Sequence, residues 1–382
     1  MTDGPRPGRA GAGLPGLSSL AGLAGLVLAA CSTNPIAPDT RATVASVTVP
    51  VARAGVLDGR AAFRETFCAA LARERPAGTP PPDCEDLLLR LPDEPRARPG
   101  EPLGGDPQVA TAGGPRPPAA ARPDVSVMFV PGLASDCADQ AALVERELAP
   151  RMARLGHAFR VLPISGLSSD AANARRLRDA VLAQPEGAPR AILVAHSKGA
   201  IDALEMLVAH PETRDRVAAL VSLAGAIGGS PLARLASGDA LAVAAWSPGL
   251  DCDAGDLGGL DSLVPERRQR WLAIHRLPPG VRYYSLVAMP DPDRIAPGLV
   301  AGHRLLSRID PRNDGNVLFH DQVIPAGTLL GYLNADHWAV GSDLAASPKA
   351  VARLLAGTRP FPRGALLESV VETVRRDLAD AP

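Results

Sequence analysis

Ser197 stands where a serine can become a nucleophile. The run Ala191-Ile-Leu-Val-Ala195 reads as a buried strand, and Ala200-Ile-Asp-Ala-Leu-Glu-Met-Leu-Val208 reads as a helix. Only His196-Ser197-Lys198-Gly199 joins them. A strand that enters a helix through so tight a turn lifts the serine hydroxyl above the sheet edge. It also sets the backbone N–H groups that follow at a helix N-terminus, where they favour negative charge. Attack on an acyl carbonyl needs both features, because the tetrahedral intermediate carries an oxyanion beside the attacking oxygen.

The pentapeptide Ala195-His196-Ser197-Lys198-Gly199 resembles the G-x-S-x-G elbow of the α/β-hydrolases, with Ala195 in place of the first glycine. The resemblance implies a Ser-His-Asp triad in the chain order nucleophile, acid, base. Of seven histidines, only His303, His320 and His337 lie in the C-terminal part of the chain where the base belongs. His337 stands just after the last apolar strand, in Asn334-Ala-Asp-His-Trp338, where the fold places its base. The acid is expected in Arg308-Ile-Asp-Pro-Arg-Asn-Asp-Gly-Asn316. Asp314 is favoured there, since its Asn-Asp-Gly setting resembles the acid turn of related esterases and glycine permits the bend. Asp310 is the alternative, or else a turn cap. Asp321 and Asp336 are less suited. His196 reads as a packing residue facing away from the nucleophile.

The same resemblance assigns the oxyanion donors. The Lys198 amide is one, its side chain being expected in solvent. The Leu133 amide is the other, in the turn Val130-Pro-Gly-Leu-Ala-Ser135, where Gly132 lets the backbone approach.

These side chains need a scaffold. Apolar runs at 125–130, 158–164, 191–195, 217–223, 281–288 and 328–333 alternate with helical patterns at 139–155, 170–184, 199–209, 343–356 and 364–379. Such alternation implies an α/β fold, a mostly parallel sheet flanked by helices, over residues 125–382. Nearly sixty residues separate two of these strands, and the insertion 228–275 is expected to form a cap over the acyl pocket, either a mobile lid or a rigid excursion.

The N-terminus carries an address. Arg6 and Arg9 precede the apolar run Leu20–Ala30. At roughly 16 Å of helix it is too short for a hydrocarbon core of about 30 Å, and it has the form of an export signal. Leu28-Ala-Ala-Cys31 resembles a bacterial lipoprotein signal, which implies lipidation of Cys31. Ser32 follows, which in that pattern implies an outer-membrane anchor facing the periplasm. The remaining Cys68, Cys84, Cys137 and Cys252 are even in number, as suits an oxidising compartment, and allow three pairings. Cys68–Cys84 would staple a local hairpin, and Cys137–Cys252 would tie two loops of the main domain. The chain thus divides into a signal (1–30), a tether (31–60), a cysteine-bracketed helical extension (61–91), a Pro/Gly-rich linker (92–124) and the hydrolase domain (125–382).

Composition narrows the function. The net charge of −1 and an aromatic content of 3% argue against a nucleic-acid partner. No Cys/His spacing suggests a metal, and no cofactor is implied. The expectation is a lipid-anchored serine hydrolase acting on a small-molecule or lipid ester. A thioesterase, amidase or polyester hydrolase with the same triad, or a non-catalytic envelope lipoprotein, are the alternatives. Oligomeric state has no signal here.

Overall fold

The computed structural model describes residues 55–74, 84–89, 124–137, 139–236 and 252–379. The export signal, Cys31, most of the tether, nearly all of the linker and the middle of the insertion with Trp246 lie outside the described residues.

The chain begins with strand β1 (Leu57–Asp58), helix α1 (Arg60–Glu74), one helical turn over Cys84–Leu87 and strand β2 (Leu88–Leu89). The alternating part follows: β3 (Ser126–Val130), α2 (Gln140–Arg154), β4 (Phe159–Val161), α3 (Asp170–Leu182), β5 (Ala191–His196), α4 (Lys198–Ala209) and β6 (Val217–Leu223). After the insertion and its helix α5 (Pro265–Ile274) come β7 (Arg282–Ala288), α6 (Val300–Leu306) and β8 (Thr328–Leu333). Helices α7 (His337–Gly341), α8 (Ala350–Leu355) and α9 (Arg363–Ala379) close the chain. The pattern at 343–356 is not one helix. Pro348 interrupts it, leaving a short 3-10 turn at Leu344–Ala346 and then α8.

One eight-stranded sheet runs in the order β1-β8-β7-β6-β5-β3-β4, with β2 also paired to β8. Every pairing is parallel except that of β2. The strands β5 and β6 are buried along their whole length. Their alternate side chains enter different cores. Val127, Phe129, Ile192 and Val194 join one cluster, whereas Met128, Val130, Leu193 and Ala195 join the other. That two-sided burial explains why these strands read as unbroken apolar runs.

The N-terminal extension is more than a helical appendage. Leu57–Asp58 and Leu88–Leu89 occupy successive stretches of the β8 edge, so the edge is not left open to pairing with another chain. Helix α1 buries Phe63 and Phe67 in the core shared with α9. A buried 2.8 Å hydrogen bond joins the Thr66 and Thr373 hydroxyls. The Cys68–Cys84 disulfide ties α1 to the turn before β2. Two-residue strands carry no readable alternation, which is why sequence pattern missed them.

Strand order reverses around β3. The chain leaves β3 toward β4 on one side and returns to β5 on the other. Loops diverge at such a point and open a crevice at the carboxyl ends of the strands. The turns after β3 and β5 are the ones that carry Leu133 and Ser197.

Candidate active site

Ser197 sits between β5 and α4 with φ 56° and ψ −128°, a conformation that non-glycine residues seldom adopt. Strain of this kind persists only where the surroundings enforce it. Here the Ser197 amide donates to Leu223 O at 3.1 Å, and its carbonyl accepts from the Ala226 amide at 3.2 Å. Gly199 permits the fit from the other side. A Cβ there would lie 2.2 Å from the Pro131 carbonyl oxygen and 2.6 Å from that of Val130. The turn after β3 can therefore press directly on the start of α4.

The imidazole of His337 faces the serine. Its Nε2 lies 2.8 Å from Ser197 Oγ, and its Nδ1 lies 2.6 Å from Asp314 Oδ2. Because a carboxylate only accepts, Nδ1 carries the ring proton and Nε2 is free to accept the serine hydroxyl. Asp314 is fully buried and fixed from behind. Its Oδ1 accepts the amides of Asn316 at 2.9 Å and Val317 at 2.7 Å. The backbone is pinned too, with the His337 amide donating to Asp314 O at 3.0 Å.

The other carboxylates have separate tasks. Asp310 closes on the Arg312 guanidinium at 2.8 Å, and that pair, with the backbone bond to the Arg312 amide, keeps its carboxyl below the usual range despite partial burial. Asp336 caps α7 through the Trp338 and Ala339 amides and also accepts the Ala296 amide, while burial pushes its carboxyl up. Asp321 lies against Gly228, where a Cβ would meet its Oδ1 at 2.2 Å. None of the three is bonded to the imidazole.

His196 does more than fill space. Its Nε2 donates to the His337 carbonyl at 2.8 Å, and its ring is 5.0 Å from that of His337. Burial, reinforced by the His337 charge, depresses its pKa to about 3, so it stays neutral. Helix α7 closes over it, since a Cβ on Gly341 would come within 2.5 Å of the ring. Sequence alone offered no signal for this contact, because it depends on a segment 141 residues away.

The Lys198 side chain overturns its solvent expectation. It is 0% exposed, and its Nζ bonds Asp202 Oδ1 at 2.6 Å one helical turn on. Asn173 of α3 donates to Asp202 Oδ2 at 2.8 Å. Burial pushes Asp202 up to about 6, against the opposing pull of Lys198 and Asn173. The ammonium turns inward because α3 packs over this face of α4 and a carboxylate waits there. The i, i+4 spacing of Lys198 and Asp202 within a mostly apolar helix was the available signal.

Neither the Leu133 nor the Lys198 amide has a hydrogen-bond partner among the described residues. Gly132 brings the first turn against the serine, since a Cβ there would lie 2.8 Å from Ser197 Cβ. The Cys137–Cys252 disulfide joins the end of this turn to the insertion. Asp136 reinforces that link by accepting the Asp253 amide at 2.6 Å. Ser197 and His337 open into a cleft of about 290 Å³, whose walls include Leu133, Leu232, Leu263, Val317 and Trp338. Of the insertion, residues 228–236 and 252–275 are described, and Leu232, Leu260 and Leu263 from it line the cleft. Trp271 instead packs into the core under α5, with its indole N–H on Glu205.

A parallel sheet covered on both faces, with a serine at a strand-to-helix elbow above its switch point, defines the α/β-hydrolase fold. Among solved structures, the chain is similar to the metagenomic carboxyl esterase MGS0156, with 37% identity and a TM-score of 0.75 over 90% of this chain and 100% of that one. The chain belongs to this carboxyl-esterase family of α/β-hydrolases. More distant likenesses add nothing to that assignment. A Bacillus licheniformis lipase in mature form is 22% identical with a TM-score of 0.45, covering 63% of this chain and 89% of its own. EstA from Clostridium botulinum is 11% identical with a TM-score of 0.49, covering 68% and 89%. No protein-family model and no curated protein matches the chain.

Proposed function

We propose that this hydrolase cleaves carboxylic esters through an acyl-enzyme on Ser197. The hydrogen-bonded line Ser197–His337–Asp314, opening on a largely apolar cleft, carries the proposal. His337 Nε2 takes the hydroxyl proton as Ser197 Oγ bonds to the acyl carbon. Asp314 holds the imidazole in the required tautomer and stabilises its charged form. The oxyanion is received by the Leu133 and Lys198 amides. Collapse of the intermediate breaks the bond to the alcohol, which leaves with the proton from His337. Water then repeats the sequence on the acyl-enzyme and releases the acid.

The substrate class is a small-molecule or lipid ester. Family membership supports ester chemistry, and the apolar walls suit a hydrocarbon acyl or alcohol group. Attachment to the bacterial outer membrane through lipidated Cys31 is part of the proposal and rests on the sequence of the export signal. A lipid anchor would hold the cleft near hydrophobic esters.

Hydrolysis of 4-nitrophenyl butyrate tests the assignment. Asp314→Asn should lower kcat by about 10³- to 10⁴-fold, because the amide no longer holds the reactive tautomer. An Asp314→Asn variant that folds and retains wild-type kcat would remove Asp314 from the mechanism.

A further inference from the structure

The cleft holds several polar side chains that the proposed mechanism does not use, among them Gln140, Ser230 and Asn316. Gln140 is the first residue of α2 and borders the same cleft as Ser197 and His337. It is 9% exposed, and its carboxamide has no hydrogen-bond partner among the described residues. Its backbone is already committed, with the amide donating to Ser135 O at 2.9 Å. The side chain therefore has no structural task as a cap or tether, and the surface it keeps lies on the cleft.

Its carboxamide atoms are not sealed off, so a group bound in the cleft can hydrogen-bond to them in place of water. Its position adds to the case. One wall of the cleft, formed by Ala226, Ala233, Leu263 and Val317, is continuous with an apolar core. Gln140 stands instead on the side where Trp338 packs against Leu143, one turn further along α2. An ester bound at Ser197 would thus meet the Gln140 carboxamide as well as hydrocarbon, with Ser230 and Asn316 also on the lining.

We infer that Gln140 is a specificity-determining residue that binds a second hydrogen-bonding group of the substrate. The preferred ester carries a hydroxyl a few atoms from the scissile carbonyl. A carboxamide offers both donor and acceptor, so it can satisfy either face of that hydroxyl. This inference rests on the Ser197 reading of the site.

Two isosteric pairs test it. Ethyl 3-hydroxybutanoate against ethyl 3-methylbutanoate exchanges a hydroxyl for a methyl on the acyl side. 2-Hydroxyethyl butanoate against propyl butanoate makes the same exchange on the alcohol side. Wild-type enzyme should favour the hydroxylated member of one pair by about tenfold in kcat/KM, the scale of one well-placed hydrogen bond. Gln140→Met, close in shape but apolar, should remove that preference and leave hydrolysis of the methyl member within about twofold. Gln140→Glu, which accepts but does not donate, guards against a misfolded first variant and should alter the ratio in the same pair. Unchanged ratios in both pairs, or an equal loss of kcat for every ester, would overturn the inference. The second result would instead make Gln140 an oxyanion donor. Failure of the Ser197 reading looks different, since Ser197→Ala would then still hydrolyse all four esters.

Discussion

At the residue scale, a buried ion pair and a buried neutral imidazole support the serine. Lys198 and Asp202 form a pair inside the protein, where removing one partner strands the other at a cost of several kcal/mol. The pair fixes the first turn of α4 and so the direction of the Lys198 amide. His196 fixes the other side by holding the His337 carbonyl. Because burial keeps His196 neutral with a pKa of about 3, the unfolded chain, with a histidine near 6.5, binds a proton that the folded chain refuses. Stability from this group is therefore present above pH 6.5 and declines as pH falls toward 3. Between pH 7 and pH 5 the loss should be about 2 kcal/mol, read from urea unfolding at each pH. His196→Gln should start from a lower stability at pH 7 and show a flatter decline. Equal slopes for the two proteins would contradict the assignment.

At the element scale, the turns after β3 and β5 must touch for the site to exist. Gly132 and Gly199 are where they do so. A side chain at 132 would press on Ser197 Cβ at 2.8 Å and stand 3.3 Å from its hydroxyl oxygen. Gly132→Ala should then lower kcat by about 100-fold, the usual cost of a displacement near 1 Å, while the fold persists. Steady-state kinetics beside a thermal melt checks this; unchanged kcat would show that the turn is not tight against the nucleophile. Much of this level was legible from residue types. Apolar runs of five to eight residues located β3 to β8, and α2, α3 and α4 fell within two residues of their patterns, whereas α5 and α6 had no pattern to mark them. The two-residue strands at Leu57–Asp58 and Leu88–Leu89 were not legible, because they are defined by a partner more than 200 residues away rather than by their own composition. The burial of Lys198 had only the i, i+4 carboxylate of Asp202 as a signal, because it depends on α3 lying across its helix.

At the scale of the whole molecule, three distant segments meet over the carboxyl ends of a twisted sheet. The N-terminal extension seals the β8 edge, next to the strand from which the chain passes to His337. The Cys137–Cys252 link, 115 residues apart in sequence, holds the insertion to the turn that carries Leu133. Closing so long a loop restricts the unfolded chain, a contribution of about 5 kcal/mol in the chain-entropy model. The molecule is thereby braced around one hydroxyl, and that hydroxyl carries the account. Treating the folded protein with a fluorophosphonate and mapping the adduct by peptide mass spectrometry puts it to the test. The account predicts a single phosphonylated site at Ser197, absent in Ser197→Ala and strongly slowed in His337→Gln. Well-folded protein that remains unlabelled, or that carries its label on another serine, would contradict it.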